Sequence, residues 1–282
     1  MRNDYHMHLE HGAYEEDYAE GFFTAARARH LDEIGFSEHS HTFPEFQALY
    51  EADLILDDSP IGEFQRKWLR KNKFKYRLAD YFAFIEKLCQ KHTVKAGIEV
   101  CNFQNQAAVK SLLEAYPFDY VIGSVHFLHG WGFDASALKF HWREVDLHEV
   151  YETYTQEVEK LCASGLYDVL GHPFNIRLFR YFPNFDVTPY LERVAQALRA
   201  AHMLVDVNTG TLYRYPVQEI SPYPAFMKIA ARYGLTCILT SDAHEPQDAG
   251  AYHEEALHYA QRFGFTQTVC FTQRKRTFVP LS

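Results

Sequence analysis

Several kinds of segment are missing from these 282 residues. No apolar run approaches the roughly 20 residues that a membrane-spanning helix needs. The opening Met1-Arg-Asn-Asp-Tyr-His lacks the apolar core of a secretory signal. A cytoplasmic location without a membrane partner is therefore expected. Positive charge is in deficit, with 28 Lys and Arg against 37 Asp and Glu and a formal net charge of −9. That balance argues against a general affinity for nucleic acid or anionic membranes, so a phosphorylated substrate would need its own local arginines. Cysteine is scarce. Cys89, Cys101, Cys162, Cys237 and Cys270 are odd in number and free of any CxxC pair, and they read as reduced, mostly buried thiols. No low-complexity stretch, short repeat or linker divides the chain, which points to a single domain over residues 1–282. Hydrophobic residues make up 47%, enough for a sizeable core. The unusual abundance is histidine, with sixteen, beside 16% aromatics.

Short β-rich runs alternate with longer amphipathic stretches. The spacing predicts strands over Arg2–Leu9, Ile34–His39, Val94–Val100, Tyr120–Phe127, Asp168–Phe174, Met203–Asn208 and Cys237–Asp242, with a last run at Thr268–Phe271. Helical patterns fall at Tyr18–His30, Leu78–Lys91, Asp146–Ser164, Thr188–His202, Pro224–Tyr233 and Tyr252–Phe263. Gly165 and Gly234 suit C-terminal caps and Pro189 a first turn. Strand–helix repetition implies parallel strands joined by right-handed crossovers. Seven units without a Gly-rich phosphate loop favour an α/β barrel over one open sheet. Two segments break the rhythm. Residues 43–77 begin aromatic and acidic and end strongly basic; they read as a helical insertion with solvated charges, or more sharply as a lid supplying cations to the site. The stretch His129–Trp142, with Gly130 and Gly132 around Trp131, reads as a packed surface loop or a substrate-side wall.

The placement of ionisable residues carries the functional signal. The strands end, in order, in His6 and His8, in Glu38 and His39, in Glu99, in His126, in His172, in Asp206 and Asn208, and in Asp242 and His244. In a (β/α) barrel all these ends meet at one face, where active sites lie. A spacing of two puts both members of the His6/His8 and Asp242/His244 pairs on one side of their strands. Each element alone is weak: a lone histidine is more often a hydrogen-bonded structural residue, and Ser241-Asp242-Ala243-His244 would serve as a helix cap. Seven coincidences of position are harder to dismiss. So many imidazoles and carboxylates in one place need compensating cations. A His/carboxylate set without thiolate suits Zn²⁺, Fe²⁺ or Mn²⁺ in an open site, and eight or nine ligands suit two or three ions. His30, His92, His148, His202, His253 and His258 fall within or at the ends of helical patterns and read as surface or helix-terminal residues. His129 and His141 are open to facing the pocket, though their spacing does not require it.

The ordered motifs YHMH, FSEH, GIEV, SVHFL, GH and SDAH, each at a strand end, resemble the PHP (polymerase and histidinol phosphatase) superfamily. SVHFL with DVNTG (Asp206–Gly210) is similar to its histidinol-phosphate phosphatase branch, and the similarity runs over essentially the whole chain. The resemblance implies a distorted, TIM-like (β/α)₇ barrel with a trinuclear metal centre at the C-terminal strand ends. It implies metal ligation by His6, His8, His39, Glu99, His126, His172, Asp242 and His244. The family's further histidine beyond the HxH pair is out of place here, so that His11, Glu10 or water is left to complete the third site. Arginines that grip phosphate map onto Arg177, with Arg180 as competitor, and onto Arg214. The reaction implied is metal-assisted hydrolysis of a phosphate monoester, L-histidinol phosphate to L-histidinol in histidine biosynthesis, with Asp242 or His244 relaying a proton and Asp134 meeting a substrate amine. No DxDx(T/V) start or CxxxxxR loop suggests a covalent phospho-enzyme. The competing expectations are a PHP phosphoesterase acting on another metabolite, a nucleotide or a phosphotyrosine peptide, an amidohydrolase-type enzyme, and a non-catalytic metal-binding module. No strand ends in the lysine that the amidohydrolase reading requires. Oligomeric state is not readable.

Overall fold

A computed structural model describes residues 1–71 and 73–282. Seven parallel strands pair in chain order: β1 (Asn3–Asp4), β2 (Glu33–His39), β3 (Val94–Cys101), β4 (Tyr120–Ser124), β5 (Val169–Leu170), β6 (Leu204–Asn208) and β7 (Cys237–Thr240). The edges nearly close. Met7 bridges Ala243, with His8 N–H donating to the Ala243 carbonyl at 2.8 Å, while the Met7 carbonyl accepts from Ser37 N–H at 2.8 Å. Helices cover the outside: α1 (Glu16–Ala28), α2 (Gln47–Asp53), α3 (Pro60–Arg70), α4 (Leu78–Cys89), α5 (Gln106–Glu114), α6 (Leu147–Ser164), α7 (Thr188–Ala201), α8 (Pro224–Arg232) and α9 (His253–Arg262). This is the seven-unit barrel that the repeat predicts. Among the described residues no helix is long and apolar enough to cross a membrane.

The strand period of two sorts each strand between helices and interior. On β4, Val121 joins the large core cluster under the helices, while Tyr120 and Ile122 join an interior cluster with Tyr5, Val169, Leu204, Ile238, Val269 and Phe271. Tyr120 lies over Gly35 and Gly97, where an added Cβ would come within 2.4 Å of its ring or hydroxyl oxygen, so those two strands need glycine there. Val269 and Phe271 come from β8 (Gln267–Thr272), which pairs antiparallel with β9 (Lys275–Pro280). The run at Thr268–Phe271 thus plugs the end opposite the strands' carboxyl ends, and its partner strand is not evident in the sequence. Arg274 and Arg276 of the hairpin both engage the buried carboxylate of Asp168, just before β5.

Five predicted strands are shorter in the structure, and three of them, β1, β5 and β7, share one reason. At β1 the Asp4 carboxylate accepts from His6 N–H at 3.2 Å, replacing ladder pairing. After β5, His172 (φ 26°) and Phe174 (φ 63°) leave the extended region. After β7, Ser241 donates its N–H (3.1 Å) and its hydroxyl to Asp4, and Asp242 takes φ 52°. Each strand stops where the chain must turn to aim a polar side chain. Residues 43–77 contain α2 and α3, and residue 72 of that segment lies outside the described residues. The His129–Trp142 stretch is both packed and lining: Trp131, Phe133 and Trp142 are buried, while Gly132, Asp134, Ala135 and Leu138 face a cavity.

Candidate metal centre

At the carboxyl ends of the strands, every residue that the motifs single out for ligation falls into one cluster. His6 Nε2 lies 3.4 Å from Glu99 Oε1 and 3.9 Å from Asp242 Oδ1; His8 Nε2 lies 3.4 Å from Asp242 Oδ1 and 3.9 Å from Glu99 Oε2. Glu99 also meets His39 Nδ1 at 2.6 Å, His172 Nε2 at 2.9 Å and His126 Nε2 at 3.5 Å. Two pairs of ring nitrogens converge, His126 Nε2 on His172 Nε2 at 3.3 Å and His39 Nε2 on His244 Nε2 at 3.2 Å. Overlapping groups suited to holding an ion are His6/His8/Glu99, His6/His172/Asp242, Glu99/His126/His172, His8/His39/His244 and Glu10/His39/His41.

The donor atoms test whether cations fit. Asp206 accepts from His6 Nδ1 at 3.0 Å, from His172 N–H at 3.0 Å and from Asn208 Nδ2 at 3.1 Å. It thereby fixes the tautomer of His6 and aims Nε2 inward, as carboxylates behind metal-bound histidines do. That Nε2 and both ring nitrogens of His8 are buried without hydrogen-bond partners. Orphaned buried donors and acceptors at this density are costly unless something binds them. Burial, and then His39, pull His8 down to about 4, while burial pulls His126 down to about 3. Both rings are neutral and carry free lone pairs, the form that binds metal. Burial opposes charge on His6, yet Glu99 and Asp242 outweigh it and raise its pKa well above the usual value. Burial likewise disfavours the Asp242 carboxylate, but Arg214 and His6 hold it well below its usual range. The site calls for positive charge, and an all-histidine-and-oxygen donor set matches first-row divalent ions.

Some residues sit elsewhere than the motifs imply. Glu38 is on the opposite face of β2 from His39, as the period of two requires; it accepts from Leu9 N–H, and burial lifts it to about 8. His11 points to solvent with a half-exposed ring 2.9 Å from Glu245 Oε1. It is Glu10 that enters the cluster, with Oε1 3.4 Å from His244 Nε2 and 3.7 Å from His39 Nε2. His41, 3.6 Å from Glu10 Oε2, is a neighbour that strand-end reasoning passes over because it lies beyond β2 in a short 3-10 turn. Its signal is the HSH spacing of two at 39–41. Arg177 departs from expectation: it donates to Glu219 Oε2 at 3.0 Å, stacks 3.9 Å over Tyr223 and lines a separate small groove. The 3-10 turn after the left-handed Phe174 carries it there. Arg180 is exposed. Arg214 does reach the site, donating to Asp242 Oδ2 at 2.7 Å and contacting the His244 ring.

The cluster opens into a cavity of about 260 Å³. One side is polar, with Glu10, His39, His126, His172, Arg214, Asp242 and His244. The other is largely apolar and comes from residues 43–77 and the loop after β4: Leu54, Phe64, Gln65, Trp68, Asp134 and Leu138. Asp134 Oδ2 is 3.9 Å from His126 Nε2, and burial raises its pKa to about 7.

Fold and site together define a class, a (β/α)₇ barrel with a histidine–carboxylate metal-type centre at its C-terminal mouth. The PHP domain signature matches residues 4–210, and the chain belongs to that family. A curated relative from Deinococcus radiodurans named "Probable histidinol-phosphatase" is 33% identical over 206 residues, which is 71% of this chain and 77% of the relative. A Clostridium acetobutylicum protein of the same name is 23% identical over 198 residues, covering 68% and 76%. The crystal structure of histidinol phosphate phosphatase from Lactococcus lactis subsp. lactis, complexed with zinc, L-histidinol and phosphate, superposes with a TM-score of 0.72 over 98% of both chains at 21% identity.

Proposed function

We propose that this chain is a metal-dependent phosphate monoester hydrolase that converts L-histidinol phosphate and water to L-histidinol and phosphate. The observation that carries the reading is the set of uncompensated imidazole nitrogens and carboxylates at the mouth of a cavity that also holds Arg214. The family and its relatives named for histidinol phosphate supply the substrate. Its alkyl-imidazole part suits the apolar wall of Leu54, Phe64, Trp68 and Leu138, and its amine suits Asp134.

The proposed ligands are His6, His8, Glu99 and Asp242 for one ion, Glu99, His126 and His172 for a second, and Glu10, His39 and His244 for a third, the ions being Zn²⁺, Fe²⁺ or Mn²⁺. Bound ions of this kind supply Lewis acidity, lower the pKa of water and neutralise phosphoryl oxygens. The chain's own groups do the rest. Arg214 presents a planar fork of donors to the phosphate. Glu99 and Asp206 hold the imidazoles in fixed directions, so no reorganisation is needed as charge develops. Water adds to phosphorus and gives up a proton to Asp242 or His244, the P–O bond to histidinol breaks, and the same residue passes that proton to the departing alkoxide. Asp242→Asn should cut phosphate release by at least a hundredfold and lower metal content, as determined by mass spectrometry. Full rate with full metal content would remove Asp242 from the site.

A further inference from the structure

Among the described residues two side chains of the Lys/Arg type line the cavity, Arg214 and Lys73, and the segment at 43–77 provides the second. Lys73 is mostly buried. Its ammonium lies 3.6 Å from Glu10 Oε2, 3.2 Å from His41 Nε2 and 4.8 Å from the centre of the Trp68 ring. Its position is fixed by the following residues, since Phe74 N–H donates to the His41 carbonyl at 2.8 Å and Tyr76 N–H to the Thr42 carbonyl at 3.2 Å. The two cations are placed alike. Arg214 rests on Asp242 Oδ2, while Asp242 Oδ1 turns to His8; Lys73 rests on Glu10 Oε2, while Glu10 Oε1 turns to His39 and His244. Each carboxylate therefore faces imidazoles with one oxygen and a fixed cation with the other, Glu10 Oε2 meeting His41 as well.

We propose that Lys73 is a second phosphate-binding residue of this enzyme, supplied by the segment at 43–77, and that it holds the phosphoryl oxygens together with Arg214. The inference rests on the phosphatase reading above. Its physical basis is charge. Glu10 is Lys73's carboxylate partner, and four imidazoles, those of His11, His39, His41 and His244, also lie within 4 Å of Glu10 and draw on its negative charge. A desolvated ammonium so weakly compensated attracts an oxyanion entering the cavity. An ammonium also offers three rotatable donors, which suits a phosphoryl group whose oxygens shift as it reacts. Arg177, parked on Glu219 and Tyr223, leaves open the second cationic position that the motif assigned to it.

The test uses full-length, metal-loaded protein and inorganic phosphate as the probe, titrated calorimetrically against wild type, Lys73→Ala, Lys73→Met and Lys73→Arg, with metal content measured on each sample. Loss of one charge-assisted contact should weaken phosphate binding by about tenfold or more in the Ala and Met variants, with metal content at the wild-type level and most affinity recovered by Arg. Unchanged phosphate affinity would overturn the proposal. So would a loss of metal in step with the loss of affinity, which would make Lys73 only a prop for Glu10. Lys73-dependent phosphate binding in a protein that does not turn over L-histidinol phosphate would support Lys73 and overturn the substrate assignment instead.

Discussion

Asp206 shows what a single residue does here. It stands at a strand end like the candidate ligands, yet its Oδ2 is taken up by His6, His172 and Asn208 and its Oδ1 by the Thr240 hydroxyl, so it orients ligands instead of offering itself. Asp206→Asn keeps the shape but loses an acceptor for His6 Nδ1–H. The expected result is a ten- to hundredfold loss of metal affinity with the fold intact, read by competition with a chelator and by circular dichroism. Glu10 and His11 separate just as cleanly. Glu10→Gln should lower the metal content per chain, whereas His11→Ala should retain it, because His11 faces solvent against Glu245. The converse result would place His11 in the third corner. Arg214→Ala should raise KM for the phosphate monoester far more than Arg177→Ala does, and Arg177→Ala should show instead in the melting curve, since it breaks the stack on Tyr223. A larger KM effect at Arg177 would reverse that assignment.

At the level of elements, the strands were legible because their apolar runs are β-branched and regularly spaced, and their C-terminal polar residues meet by barrel geometry alone. What escaped the reading depends on contacts distant in sequence. Strand β9 has no apolar periodicity and exists because it pairs with β8, and α5 went unread between two strong strands. Glu38 and His39 both end one strand, but only the pleat decides that His39 faces the centre. Arg177 and Lys73 are placed by a left-handed turn and by the return of an insertion, neither of which motif spacing encodes. The β8–β9 hairpin has a testable role of its own. Asp168→Ala would strand Arg274 and Arg276 and leave Val121 N–H without its acceptor, costing about 2–4 kcal/mol. The unfolding midpoint should fall by several degrees while metal content is retained. An unchanged midpoint would show that the hairpin seals the barrel by its apolar contacts with Tyr5 and Tyr120 alone.

Across the whole molecule, the barrel sets a ring of imidazoles and carboxylates at one face, and the two irregular segments line one side of the cavity above it. The negative net charge, with Lys73 and Arg214 in the cavity, fits a small phosphorylated, amine-bearing substrate better than a polyanion. The central claim is that this cavity hydrolyses L-histidinol phosphate with metal bound. The most direct measurement is phosphate release from that substrate, beside para-nitrophenyl phosphate and a nucleoside monophosphate, by protein before and after chelation and after metal is restored. The account predicts the highest kcat/KM for L-histidinol phosphate, its loss on chelation and its return with Zn²⁺, Fe²⁺ or Mn²⁺. Turnover that survives chelation, or a preference for another phosphate ester, would contradict it.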